Sequence, residues 1–185
     1  MTTANKITIF RIILVPVFMV LMLIDNTSCR MWALVVFIIA SISDAADGYI
    51  ARHYNQISNF GKFMDPLADK ILTTSAFIIL LEIDRITWFG SVAIMLILAR
   101  EFTVSGLRMI AGAEGKVIAA SMFGKIKTVS QMIVIVAAIL LMNDTWFAQM
   151  PALLITNILV WISVIFTVLS GIDYIIKNKT VFMAD

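Results

Sequence analysis

The sequence predicts an all-α integral membrane protein of six transmembrane helices, and three observations predict it. Of 185 residues, 61% are apolar and 14% charged, with a mean hydropathy of +0.99; a water-soluble domain has about 45–50% apolar and about 25% charged residues. Six stretches approach the roughly 20 apolar residues that cross a bilayer as a helix. The segments between them alternate between lysine- and arginine-rich and poor, the pattern of a multi-pass protein. This balance excludes a disordered chain and a nucleic-acid-binding module. A net charge of +2 is too small to call for a polyanionic partner. One domain over residues 1–185 is expected.

The six spans are expected at Ile7–Ile24, Met31–Ile50, Phe63–Leu81, Trp88–Met109, Phe123–Met142 and Ala152–Ile176. The second, third and fifth are interrupted by charges. Short polar or turn-like pieces separate them, at Asp25–Arg30, Arg52–Lys62, Glu82–Thr87, Ile110–Met122 and Asn143–Pro151. Lys6 precedes the first apolar run, but no small-x-small cleavage site follows it, so a removable signal peptide is not expected. With the N-terminus in the cytoplasm, inside segments carry twelve of the lysines and arginines. Outside loops carry two, Arg30 and Arg85. Both termini are therefore expected on the cytoplasmic side. Trp88, Trp146 and Tyr174, near span ends, are expected as interfacial anchors. The single cysteine, Cys29, rules out an intrachain disulfide and is read as a small apolar space-filler.

Four carboxylates lie where an apolar span should exclude them. Asp44 and Asp47 fall at the end of the second span, Asp65 and Asp69 at the start of the third. Each costs roughly 2.5–3.5 kcal/mol at a helix centre and less toward the interface, so four cost up to about 10 kcal/mol. That is comparable to the stability of a whole domain, and something must offset it. Spacings of three and four put each pair on one helix face. The short connection Arg52–Lys62 makes the two helices antiparallel neighbours at the cytoplasmic side, where the four carboxylates converge. Like charges so close stay ionised only beside cations. An all-oxygen set favours hard divalent ions, Mg²⁺ first, with Mn²⁺ or Ca²⁺ able to substitute. One histidine, His53, and one cysteine argue against zinc; His53 reads as an interfacial loop residue. Gly48 and Ala51, on the same face as Asp44, leave room for a flat or phosphorylated ligand, although small residues are also common at membrane helix contacts.

Written out, Asp44-Ala-Ala-Asp47-Gly48-Tyr-Ile-Ala51-Arg52 runs through eight residues to Gly61, then three to Asp65 and three to Asp69. This resembles the signature of the CDP-alcohol phosphotransferase family, D-x2-D-G-x2-A-R-x8-G-x3-D-x3-D, at all eight fixed positions. The odds of a chance match are below about one in 10⁸ from average residue usage. Four further stretches resemble the bacterial branch whose acceptor is glycerol 3-phosphate. They are Asn5-Lys-Ile-Thr8-Ile-Phe-Arg11, Gly61-Lys-Phe-Met-Asp65-Pro66-Leu-Ala-Asp69-Lys70, Ala99-Arg100-Glu101-Phe and Gly124-Lys125-Ile-Lys127-Thr128.

The resemblance implies the CDP-alcohol phosphotransferase fold: a homodimeric six-helix enzyme of the bacterial inner membrane with its active site open to the cytoplasm. The implied reaction is CDP-diacylglycerol plus sn-glycerol 3-phosphate giving phosphatidylglycerophosphate and CMP. By the same resemblance Asp44, Asp47 and Asp65 are ligands of two divalent ions. Asp69 is the catalytic base and can also touch a metal. Gly48, Ala51, Arg52 and Gly61 line the CDP-lipid site. Asn5, Thr8 and Arg11, spaced by three, are candidates for the same pocket, with interfacial anchoring alongside Lys6 as the competing reading.

The second substrate is an anion and needs cations. Arg100, Arg108, Lys125 and Lys127 flank the fourth and fifth spans, and guanidinium groups suit bidentate phosphate contacts. The competing reading is that they are ordinary positive-inside anchors. Glu101 is expected to pair with Arg100 or Arg108. Within the family the acceptor could instead be inositol phosphate, phosphatidylglycerol or serine, or the enzyme could join a CDP-linked headgroup to diacylglycerol; the cations speak against serine. An ion transporter is the reading from another class, since buried carboxylates also mark ion paths. The carboxylates cluster toward one leaflet and the sequence has no inverted repeat, both of which count against it.

Overall fold

The computed structural model describes residues 3–53, 59–113, 121–143 and 151–179. Among them lie six helices and no strand: α1 Thr3–Leu23, α2 Thr27–His53, α3 Asn59–Glu82, α4 Gly90–Ala113, α5 Met122–Leu140 and α6 Ala152–Lys177. Each corresponds to one expected span. The differences lie at the ends: α1, α2 and α3 each begin four residues earlier than expected, α2 also continues beyond Ile50, and α4 runs four residues past Met109. Within α1, α4, α5 and α6 lie segments long and apolar enough to cross a membrane, Asn5–Leu23, Gly90–Gly112, Met122–Leu140 and Ala152–Lys177. In α2 the stretch Thr27–Ser43 is apolar as well.

The chain forms two compact units. The first holds α1, α2, α3 and the segment from Ala138 to Ala152; the second holds α4, most of α5, and α6. In the first unit α1 packs on both α2 and α3. Its inward face carries Val15, Phe18 and Met22, and α2 offers Ala33, Leu34, Phe37 and Ala40. Phe18 and Phe37 meet with ring centroids 5.7 Å apart. From α3 come Ala68, Leu72, Ala76 and Leu80, an alternation of small and large side chains that lets helix backbones approach closely in lipid. Asn26 caps α2: its side-chain oxygen accepts the N–H of Ser28 at 2.8 Å, which satisfies one of the unpaired donors of the first turn. The opposite face of α1 exposes Phe10, Ile13, Val17, Val20 and Leu23. Such a broad exposed apolar surface marks a face that meets lipid rather than water.

In the second unit α6 has an unusual inward face. Thr156, Asn157, Val160, Ser163, Val164, Thr167, Ser170, Gly171 and Tyr174 are buried, while Ile158, Ile162, Ile165, Leu169 and Ile172 face outward. Polar and small residues inside with apolar residues outside suit a helix solvated by lipid, whose association rests on close packing and interhelical hydrogen bonds. Near the start of α6, the Asn157 side-chain oxygen accepts the backbone N–H groups of Thr87 (3.0 Å) and Trp88 (2.9 Å). Its amide donates to the Leu153 carbonyl at 2.7 Å. Trp161 Nε1 donates to the Trp88 carbonyl at 2.9 Å. These bonds secure the chain ahead of α4, where Phe89 takes a positive φ of 48° immediately before Gly90. Midway along α6, Gln131 Nε2 of α5 donates to Thr167 Oγ1 at 3.2 Å, and Thr167 in turn donates to the Ser163 carbonyl.

Candidate active site

Asp44 and Asp47 lie within α2, and Asp65 and Asp69 within α3, so all four belong to the first unit. The helical backbone therefore has the spacing of three and four that puts each pair on one face. Gly48, Ala51 and Arg52 continue α2, and Gly61 lies in the first turn of α3. The side chains of Asp44, Asp47, Asp65, Asp69, Ala51 and Arg52 lie outside the described residues. Among the described side chains no other group of three or more His, Cys, Asp and Glu could hold a metal ion. As a donor set, four carboxylates on two helices fit a hard divalent cation and offer no nitrogen or sulfur for a softer one.

The start of α1 belongs to the same unit. Asn5 is buried, and Thr8 and Arg11 have no exposed surface at all. Spaced by three, they extend the inward face that continues through Val15 and Phe18. Each of the three is engaged by neighbouring groups. Interfacial anchoring therefore does not describe them. It fits Lys6, which is exposed between them. A charge inside an apolar bundle is costly, so the burial of the Arg11 guanidinium must be offset by the groups around it.

The second unit gathers the cations. Lys127 of α5 forms an ion pair and hydrogen bond with the Glu101 carboxylate of α4, and Arg100 Nη1 lies 3.5 Å from the same oxygen. The expected pairing of Glu101 with Arg100 is present, and Lys127 is a second partner that the sequence did not indicate. Arg100 also donates from Nη2 to Ser170 Oγ of α6 at 2.6 Å. Arg108, two turns further along α4, is exposed. Its Nε faces the Tyr174 hydroxyl at 3.4 Å, and its guanidinium carbon stands 5.6 Å from the centroid of that ring. Tyr174 is thus not an interfacial anchor. It is buried against Val104 and Leu107, with its hydroxyl facing Arg108. Trp88 is half-exposed, in keeping with an anchor, and Trp146 lies outside the described residues.

Lys125 is not brought into this cluster. It is exposed, two residues before buried Lys127 and so on a different side of α5. Ser121 caps α5, its hydroxyl accepting the Gly124 N–H at 3.1 Å. The cap sets Gly124 beside Arg100 and Ser170: a Cβ there would lie 3.7 Å from Arg100 Nη2 and 3.9 Å from Ser170 Oγ. Two cations on the Glu101 carboxylate, with Arg108 further along α4, leave excess positive charge, the sign an anionic acceptor needs. Ser170, Gly171 and Tyr174 are contributors that the sequence reading did not assign to this cluster. Their signal was present, a stripe of small and polar residues at three- and four-residue spacing through an otherwise apolar run.

The CDP-alcohol phosphatidyltransferase family model matches residues 1–169. A relative from Bacillus subtilis (strain 168), named CDP-diacylglycerol--glycerol-3-phosphate 3-phosphatidyltransferase, is 42% identical over 94% of this chain and 93% of its own length. Proteins of the same name from Rickettsia typhi (strain ATCC VR-144 / Wilmington) and Haemophilus influenzae (strain ATCC 51907 / DSM 11121 / KW20 / Rd) are 37% and 34% identical. They cover 96% and 91% of this chain and 97% and 89% of their own lengths. With the family model matching more than nine-tenths of its length, this chain belongs to the CDP-alcohol phosphatidyltransferase family.

Proposed function

We propose that this protein transfers the phosphatidyl group of CDP-diacylglycerol to sn-glycerol 3-phosphate, releasing CMP and forming phosphatidylglycerophosphate. The observation that carries this reading is the shared name of relatives 34–42% identical over more than nine-tenths of the chain. The two helical aspartate pairs and the cation cluster supply the chemistry the reaction requires.

Phosphoryl-type transfer asks a protein mainly for positioning and charge neutralisation. Asp44, Asp47 and Asp65 would hold two divalent ions, Mg²⁺ or Mn²⁺, and Asp69 could also touch one of them. When bound, such a pair neutralises the diphosphate and the charge that develops on the departing CMP. Asp69 accepts the proton of the glycerol C1 hydroxyl. That oxygen attacks the phosphorus bearing the diacylglycerol, a new P–O bond forms, and the bond from this phosphorus to the oxygen of CMP breaks. No covalent enzyme intermediate is needed. Gly48, Ala51, Arg52 and Gly61, with buried Asn5, Thr8 and Arg11, bind the CDP-lipid, whose acyl chains remain in the bilayer. Arg100, Arg108 and Lys127 hold the acceptor's phosphate, and Lys125 contributes long-range attraction from its exposed position.

The excess of lysine and arginine in alternate segments supports an orientation with both termini and the active site on the cytoplasmic face. The working form is a homodimer, which cross-linking in native membranes tests. The activity is tested by CMP release from the purified protein in detergent with CDP-diacylglycerol and Mg²⁺. Glycerol 3-phosphate, inositol phosphate, serine and phosphatidylglycerol are supplied in parallel. Release with glycerol 3-phosphate alone is expected. Release with one of the others instead would keep the family and overturn the acceptor.

A further inference from the structure

A guanidinium binds a phosphate through two parallel N–H bonds only when its plane is fixed. Arg100 is fixed from α6. Ser170 Oγ takes a hydrogen bond from Nη2 at 2.6 Å. Below it, the side-chain stem of Arg100 lies against Gly171 so closely that a Cβ there would stand 3.0 Å from Arg100 Cγ. Gly124 and Glu101 complete the surroundings from α5 and from α4 itself. Ser170 and Gly171 are fully buried or nearly so and face inward on α6. Both lie just beyond residue 169, where the match to the family model ends.

We propose that Ser170 and Gly171 are positioning residues for the acceptor's phosphate, acting through Arg100. The bare Cα of Gly171 leaves space for the stem. The Ser170 hydroxyl holds the guanidinium with Nη1 toward Glu101 and Nε buried without a hydrogen-bond partner among the described residues, so that Nε and the N–H of Nη2 not used by Ser170 form the edge offered to a phosphomonoester. This inference rests on the acceptor reading given above. The phosphate of glycerol 3-phosphate is remote from the hydroxyl that reacts. Contacts to it act equally in the ground and transition states, so their loss appears in KM for that substrate and not in kcat. Helix stability is a separate matter, because alanine is intrinsically the better helix former at a glycine position.

The test uses the full-length protein in detergent, with kcat and the KM of each substrate measured for S170A, S170T, G171A, R100K and R100K/S170A. S170A and G171A are expected to raise KM for glycerol 3-phosphate about tenfold, the scale of one lost charge-assisted hydrogen bond. KM for CDP-diacylglycerol and kcat stay unchanged. S170T, which keeps the hydroxyl, restores the parent value, and S170A adds nothing once Arg100 is lysine. A parent-like KM in both S170A and G171A overturns the proposal. So does an equal rise in both KM values, or an additive effect in the R100K background. If G171A does not fold, the two Ser170 variants and the double variant decide. A parent protein active with glycerol 3-phosphate but indifferent to these changes sinks this inference alone. A parent inactive with that acceptor sinks the functional reading and this inference together.

Discussion

Lys127 of α5 and Glu101 of α4 are hydrogen-bonded across the second unit, with side chains only 7% and 14% exposed. Because Arg100 shares the same carboxylate oxygen, Glu101 separates two cations that would otherwise repel at short range. Glu101→Gln preserves the shape and removes the charge. Breaking a buried pair from one side costs about 3–5 kcal/mol, whereas removing both partners is far less damaging. A lowered thermal midpoint is therefore expected for Glu101→Gln, largely recovered in Glu101→Gln/Lys127→Met. Scanning fluorimetry in detergent reads both. Equal midpoints for the parent and the single variant would show that the pair contributes nothing.

Asp69→Asn retains size and helix propensity and cannot accept a proton. General-base loss typically costs about 10²–10⁴ in rate. CMP release should fall by that factor at saturating concentrations of both substrates. Asp44→Asn and Asp47→Asn should instead raise the Mg²⁺ concentration needed for half-maximal activity. An Asp69→Asn protein with near-parent turnover would remove the base from the mechanism.

Chelation should abolish activity, and added Mg²⁺ or Mn²⁺ should restore it, because all-aspartate donors select hard divalent ions. Zinc, which favours nitrogen and sulfur ligands, is expected to fail. Activity surviving excess EDTA would contradict the carboxylate reading directly.

Tyr174 presents both its ring and its hydroxyl to Arg108. Tyr174→Phe keeps the ring and removes a long, weak bond, so KM for glycerol 3-phosphate should move little. Tyr174→Leu removes the cation–π contact, worth about 0.5–1 kcal/mol where the cation is exposed, and should raise that KM about two- to fivefold. Steady-state kinetics with both variants separates the contributions.

Asn157 is expected to matter for stability and not for kinetics. Asn157→Leu leaves the N–H groups of Thr87 and Trp88 without their acceptor. Each unsatisfied donor costs about 1–3 kcal/mol. A lower thermal midpoint with parent KM values is the expected outcome. A selective rise in one KM would tie this end of α6 to substrate binding.

The six helices were legible because apolar length is a strong signal. Their ends were less so, since apolar length does not see where a polar stretch remains helical, as α2 does from Ala51 to His53. The placement of the four aspartates on two successive helices was legible because the spans were, and the spacing within each pair follows from the helix. The burial of Asn5, Thr8 and Arg11 was half legible: their spacing put them on one face, but only packing shows that the face turns inward. Pairings across the second unit could not be read. Glu101 and Lys127 are 26 residues apart, and Arg100 and Ser170 are 70 apart. Nothing local distinguishes Lys127, which is buried, from Lys125, which is not. Tyr174 was misread for the same reason, because a tyrosine near a span end has the same local sequence whether it meets headgroups or an arginine.

The two attachments of α6 make that helix a ruler. Asn157 is tied to the chain before α4, and Ser170 is tied to Arg100 within α4, so about 20 Å of helix is gauged against a second one at both ends. Substitutions on the lipid side of this stretch leave the gauge intact. A single inserted residue advances everything after it by about 1.5 Å and turns it by about 100°, and no side-chain adjustment can then satisfy both ties. Between positions 157 and 170 the outward-facing residues are therefore free to vary in spelling, but the stretch is not free to vary in length.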